Sequence, residues 1–191
     1  MSHLEEIKTT LAQVLPPDQL EDLMAIGQLK NLSSGEYFIR EGETPQKLAF
    51  VLSGLFRYVY INDKGLEFTK SLIQERDFIS SYSAMITQSG SHFFIEALED
   101  AVVLVIPYHK WQTLLTQDPF WTGFLLKFIE KGFITKEKRE RDLLLLSAET
   151  RYQNFLKEYP GMEGRIKQTI IASYLGIQPE SLSRIRKKMS S

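Results

Sequence analysis

The sequence predicts an α+β protein: helices and an antiparallel barrel or sandwich of short strands, then one long helix, then a small all-helical unit. Two patterns carry that expectation. From Gln28 to Pro107, β-rich runs alternate with Gly35, Gly42, Gly54, Gly65 and Gly90, as antiparallel strands joined by tight turns require. Beyond Asp118 the apolar period becomes that of helices. The expected boundaries are residues 1–117, 118–146 and 147–191.

The elements follow in order. Met1–Leu15 reads as an amphipathic helix, running to about Val14 and stopped by Pro16-Pro17, and a short helix follows near Asp18–Ile26. Leu48–Leu52 and Phe56–Ile61 are strand runs, and Asn62-Asp63-Lys64-Gly65 is a hairpin turn with Gly65 as its left-handed residue. Phe93–Leu98 and Val102–Ile106 are expected to pair with each other. Tyr108–Thr116 reads as helix. Asp118-Pro119, an N-cap followed by proline at the first position, starts the long helix. Trp121, Phe124, Leu125, Phe128 and Phe133 give that helix an aromatic stripe. Either the stripe packs on the β domain or it forms a two-fold seam with a second copy, and the seam is the favoured reading. Lys136–Asp142 is then its exposed continuation. Ser147, with Glu149 in the first turn, caps a further helix to Tyr159, with Tyr152, Phe155, Leu156 and Tyr159 inward and Pro160-Gly161 as the stop.

Gln168–Met189 (QTIIASYLGIQPESLSRIRKKM) carries the most specific spacing. Two short helices crossing steeply need a small residue where they touch and a residue tolerant of left-handed backbone at the turn. Ala172 and Gly176 stand at those places, with Ile171, Leu175, Ile177, Leu182 and Ile185 supplying a shared core. This is helix-turn-helix spacing, and its chemistry is DNA binding. Charge agrees: from Arg165 onward there are six cations and one carboxylate, or +5, on a chain of net charge −1, so the preceding residues carry −6. The candidate DNA-binding residues are Thr169, Gln178, Glu180, Ser181, Ser183, Arg184, Lys187 and Lys188. Arginine can grip guanine with two hydrogen bonds and glutamate can accept from cytosine, so Arg184 and Glu180 are the expected base readers. Lysines, with Arg165, Lys167 and Thr169, suit phosphates. A solvated helix end would also explain RIRKK taken alone.

Other classes find little support. The chain has no cysteine, and its three histidines, His3, His92 and His109, lack metal-ligand spacing. No apolar run approaches a membrane span and no secretory leader is evident, which suits a cytoplasmic protein without membrane contact. No triad, phosphate loop or carboxylate pair points to an enzyme, and Asp77, Glu96 and Glu99 read as strand-end residues.

The order of elements, together with Gly35–Gly42 (GEYFIREG), Leu48–Gly54 (LAFVLSG), Asp77-Phe78-Ile79 and the helix-turn-helix, resembles the Crp/Fnr superfamily of bacterial transcription factors over nearly the whole chain. The resemblance implies a cyclic-nucleotide-binding-type β-roll (jelly-roll) sensor and a dimer through the long helix at Trp121, Phe124, Leu125 and Phe128. It also implies a pseudo-palindromic DNA site as partner, with RNA polymerase as a candidate partner. Glu180 and Arg184 fall on two of the family's base-reading positions, but Pro179 stands at the first. Where nucleotide-binding members have Gly-Glu and Arg-Ser/Thr-Ala, this chain has Ser80-Ser81 and Ser91-His92-Phe93. A phosphate buried without its cation is costly, so a cyclic nucleotide is disfavoured and no cofactor is identified. Ser80, Ser81, Tyr82, Ser91, His92 and Phe93 remain candidate lining for an unknown small-molecule effector of neutral or apolar character. Alternatively Tyr82, Met85, Phe93 and Phe94 fill that space. An iron–sulfur sensor needs cysteines, and a haem would have only His92 or His109. The family's hairpin before the helix-turn-helix and its wing after it are expected to be absent or truncated. That absence motivates the alternative function, a ligand-binding signalling module whose helix-turn-helix is vestigial.

Overall fold

The computed structural model describes residues 3–189, with backbone alone for residues 3, 4 and 6. Met1-Ser2 and Ser190-Ser191, which the expected first helix and truncated wing include, lie outside the described residues. Helices α1 (His3–Leu11) and α2 (Pro17–Ile26) precede eight strands: β1 (Gln28–Leu32), β2 (Tyr37–Ile39), β3 (Lys47–Ser53), β4 (Phe56–Ile61), β5 (Glu67–Ile73), β6 (Phe78–Ile79), β7 (Phe94–Ala97) and β8 (Ala101–Pro107). A short α3 (Tyr82–Thr87) interrupts the strands. Then come α4 (Tyr108–Gln117), α5 (Pro119–Leu145), α6 (Ala148–Glu158), α7 (Gln168–Leu175) and α8 (Pro179–Met189). α1 ends before Val14, because Gln13 and Val14 donate to carbonyls three residues back and tighten the last turn.

The strands form two four-stranded antiparallel sheets, ordered β1-β8-β3-β6 and β2-β7-β4-β5. Ile39, Val51, Phe56, Ile95 and Val103 meet between them and fill the roll. β3 is apolar from Leu48 to Leu52 because both its faces are covered: Ala49 and Val51 point into the roll, while Leu48, Phe50 and Leu52 meet the helices. The β4–β5 hairpin turns at Gly65 (φ 74°), with Asn62 Oδ1 accepting from Lys64 and Leu66 N–H. The expected pairing of Phe93–Leu98 with Val102–Ile106 is not found. Both strands exist, but β7 pairs with β2 and β4, and β8 pairs with β1 and β3. The three residues between them carry the chain from one sheet to the other, as a jelly-roll connection must.

α5 begins where Asp118 Oδ1 accepts from Phe120 N–H (2.8 Å) and stops before Ser147, whose Oγ caps α6 by accepting from Thr150 N–H (3.1 Å). The aromatic stripe at its start corrects the sequence reading. Trp121 is 0% exposed and Phe124 8%, both buried within this chain against Trp111 of α4, Leu11 and Leu23. Leu125 and Phe128 are half-buried against the same cluster. Burial in the chain's own core therefore accounts for Trp121 and Phe124, because α1, α2 and α4 supply the partner, but not for Phe133. The large apolar side chains α5 leaves in solvent are Leu126, Ile129, Phe133 and Ile134, and Leu143, Leu144 and Leu145 at its end.

Candidate nucleic-acid interface and sensor pocket

α7 and α8 cross at a turn built on Gly176, whose φ of 66° is left-handed and whose N–H returns to the carbonyls of Ala172 and Ser173. Ala172 and Leu182 are both fully buried between the helices. α8 starts at Pro179, and the Gln178 carbonyl accepts the first helical bonds from Ser181 and Leu182. Gln168 Nε2 donates to the Pro179 carbonyl (3.2 Å) and clamps the start of α8 to the start of α7. With Leu182 inward, Glu180, Ser183, Arg184 and Lys187 share the exposed face of α8. Ser181 is half-buried and accepts from Arg184 Nη2 (3.3 Å), which lays the guanidinium along the helix. Gln178 and Thr169 are exposed at the turn and in the first turn of α7. Lys188 is paired with Glu149 (2.8 Å), so a phosphate there must compete with a carboxylate.

The helical head does not stand clear of the roll. β5 is an edge strand, and α7 covers it. Ser173 Oγ accepts from Thr69 N–H (2.8 Å) and donates to the Glu67 carbonyl (3.1 Å). Arg139 of α5 donates to the carbonyls of Thr69 (2.9 Å) and Tyr174, and its guanidinium lies 4.2 Å from the Tyr174 ring centre. Edge-strand groups that would otherwise be open to water or to another chain are thus satisfied by the head. Leu55 and Leu72 of the roll join Phe155, Ile171 and Leu175 in one apolar cluster. Arg165, expected on phosphate, instead donates to Glu99 and to Glu75 (2.6 Å), both on the roll. Those hydrogen bonds raise its pKa further. Burial pushes Glu75 up, but the bonds from Arg165 and from backbone N–H groups, Gly54 included, outweigh it and leave the carboxyl below the usual range. Between α6 and α7 lies only a 3₁₀ turn, Met162–Gly164, where relatives are expected to have a hairpin.

In the roll, the six expected lining residues are only partly brought together. Ser81 and Ser91 are buried and bonded to each other (2.9 Å), with Ser91 Oγ also donating to the Phe93 carbonyl (2.8 Å). Ser80 N–H donates to Tyr58 Oη (3.1 Å) and its hydroxyl to the Lys47 carbonyl (3.3 Å). His92 points to solvent, Tyr82 packs on the helix-side cluster, and Phe93 is buried in the roll. The serine hydroxyls are therefore engaged with the protein rather than presented to a ligand. A group that sequence reasoning passed over lies beside Phe93: Lys70 Nζ sits 3.9 Å from the Phe93 ring centre, with Tyr60 and Tyr58 at 5.7 and 5.9 Å. A cation at an inward strand position was the only signal for it. Across β4, β5 and β7, the buried Arg57 bonds Glu96 (2.6 Å) and Glu67 (2.5 Å), so the glutamates of this wall are already paired. Among the described residues no cluster of His, Cys, Asp and Glu could hold a metal, and no helix is long and apolar enough to cross a membrane.

Residues 29–118 match the cyclic nucleotide-binding domain family. The anaerobic regulatory protein of Bacillus subtilis is 24% identical over 139 residues, a match taking in 73% of this chain and 58% of that protein's length. Among solved structures, the c-di-GMP-responsive global regulator CLP of Xanthomonas campestris has 15% identity, a TM-score of 0.77 and 92% coverage of each chain. FixK2 of Bradyrhizobium japonicum has 17% identity, the same TM-score, and coverage of 86% of this chain and 85% of that one. A Crp/Fnr-family regulator from Eubacterium rectale has 20% identity and a TM-score of 0.70, with 94% and 86% covered. The proteins so matched are described as regulators, and the structural likenesses cover 86–94% of this chain. Residues 29–118 thus match the cyclic nucleotide-binding domain family, and the chain as a whole shares the fold of these solved regulator structures.

Proposed function

We propose that this chain is a dimeric transcription regulator that reads a pseudo-palindromic DNA site through α8. The carrying observation is the division of that helix. Leu182 is fully buried against α7, while Glu180, Ser183, Arg184 and Lys187 face solvent together beside the exposed turn at Gln178. A helix held by one face and presenting Arg, Glu and Ser on the other suits the major groove. Arg184 and Glu180 read bases, and Lys187, Thr169 and, on exchanging Glu149 for DNA, Lys188 hold phosphates. Arg165 is excluded from that set while it bridges Glu75 and Glu99. The second copy is supported by α5, where Leu126, Ile129 and Phe133 recur at i, i+3 and i+7 and stay 45–66% exposed. The roll is the sensor, and the serines at the family's nucleotide-binding positions argue against cyclic nucleotide capture in the usual manner.

The test is binding of operator and random DNA by two variants. Arg184→Ala should reduce the preference for operator over random DNA by about tenfold or more, the scale of one bidentate base contact. Lys188→Ala should weaken both to a similar degree and lessen the salt dependence. Equal effects of the two variants on both DNAs would sink the assignment of roles. Failure of the wild type to enrich any sequence would favour a signalling module with a vestigial head.

A further inference from the structure

Lys70 occupies a place the fold makes for it. In the β4–β5 ladder, Tyr58 pairs with Ser71 and Val59 pairs with Thr69, so Lys70 is the extra residue of a β-bulge. A bulge re-aims the side chain it leaves unpaired. Here it turns the ammonium onto Phe93, with Tyr58 and Tyr60 beside it. Phe93 stacks on Tyr58 (5.0 Å, 16° between planes) and meets Tyr60 edge-on (6.0 Å, 86°), so the three rings pack as one cluster beneath the ammonium. The nearest acids are engaged elsewhere: Glu67 and Glu96 hold Arg57, and Asp77 holds Lys131 (2.6 Å). Among the described residues no carboxylate pairs with Lys70. Burial, and then the charge of Lys136 on α5, lower the Lys70 pKa, as expected of a half-buried ammonium in the field of a second cation.

We propose that Lys70, Tyr58, Tyr60 and Phe93 form an effector site for a planar organic anion. The carboxylate or phosphate of the ligand would lie against the Lys70 ammonium, within the field of Lys136, and its flat, unsaturated body against the exposed Tyr60 ring. This rests on the reading of the roll as a sensor and names its ligand class. The anion is held from β5, not from the Ser80-Ser81 and Ser91-His92-Phe93 positions where a cyclic nucleotide's ribose and phosphate would be sought. Tyr60, 40% exposed, marks the mouth. Because β5 carries the edge that α7 covers, an anion drawn to Lys70 acts on a support of the helical head. An inert role is the competing account: three rings can hold an ammonium by cation–π attraction alone, with no ligand.

The experiment is calorimetric titration of the full chain with benzoate, benzamide and inorganic phosphate. Benzoate is planar and anionic, benzamide planar and neutral, and phosphate anionic without a flat body. Saturable benzoate binding is expected, in the range of about 10 mM or tighter for so small a fragment, with benzamide and phosphate at least about tenfold weaker. Lys70→Gln should lose about tenfold or more, Lys70→Arg should keep most of the affinity, and Lys136→Gln should weaken it several-fold. In a protein with ¹³C-dimethylated lysines, the Lys70 resonance should titrate with benzoate. Benzamide binding as well as benzoate, unchanged benzoate affinity in Lys70→Gln, or no saturation at all would overturn the proposal. Sequence-selective DNA binding is scored separately on the same samples, so failure of the site and failure of the regulator reading are distinguishable.

Discussion

Ser173→Ala tests how the head is held to the roll. Thr69 is 2% exposed, and its N–H donates to Ser173 Oγ at 2.8 Å across the outer edge of β5. The substitution leaves that donor buried without an acceptor and also removes the bond from Ser173 to the Glu67 carbonyl. A buried unsatisfied donor costs about 1–3 kcal/mol. Arg139 and the cluster of Leu55, Leu72 and Ile171 remain, so the head should stay docked but with a docking equilibrium weakened by about 2 kcal/mol, or roughly 30-fold. Native-state hydrogen exchange reads this directly. The Thr69 amide should exchange about 30-fold faster in the variant, while amides between β7 and β4 keep their protection. Ser173→Thr, which retains the hydroxyl, should restore most of it. If the Thr69 amide changes by less than about twofold in Ser173→Ala, the hydroxyl does not hold the edge strand and the account of docking is wrong.

Three further outcomes follow from the same geometry. Phe133→Asp replaces a side chain 66% exposed, so it should change the monomer's stability by no more than about 0.5 kcal/mol yet shift the mass in light scattering from dimer to monomer; Trp121→Ala, in a fully buried position, should instead cost about 3–5 kcal/mol in denaturant unfolding. Gly176→Ala puts a Cβ on left-handed backbone, 3.0 Å from Leu143 Cδ2, and should lower the head's stability by about 1–2 kcal/mol by thermal unfolding. The bridge from Arg165 holds the Glu75 carboxyl below its usual range, so its contribution is complete above that range and is lost as pH falls through the lowered value. The stability advantage of wild type over Glu75→Gln, about 1 kcal/mol for so exposed a pair, should therefore shrink as pH falls through and below the ordinary carboxylate range in pH-dependent melting.

What the sequence made legible was local. Asp118-Pro119 and Ser147 mark helix starts because a cap acts over three residues, and Asn62–Gly65 marks a turn for the same reason. Ala172 and Gly176 are readable because a helix-turn-helix closes within a few residues. What depends on distant partners was not readable. Phe93–Leu98 and Val102–Ile106 look like a hairpin until the other strands claim each of them. The stripe of Trp121 and Phe124 looks like a dimer seam until α1, α2 and α4 close over it. Arg165 advertised its charge but not Glu75 and Glu99, more than sixty residues away. Lys70 became visible only through the register of β4 and β5, since a bulge is a property of the pair and not of either strand.

The central claim is that α8, paired across a dimer, reads DNA sequence. Selection of bound fragments from a random-sequence pool by the purified full chain tests it most directly. The account predicts enrichment of a two-fold-related motif with half-sites about one helical turn apart, roughly 34 Å, and loss of the motif at a defined position in Arg184→Ala while non-specific binding persists. A pool that stays random after repeated selection, or a motif that Arg184→Ala leaves intact, would contradict it.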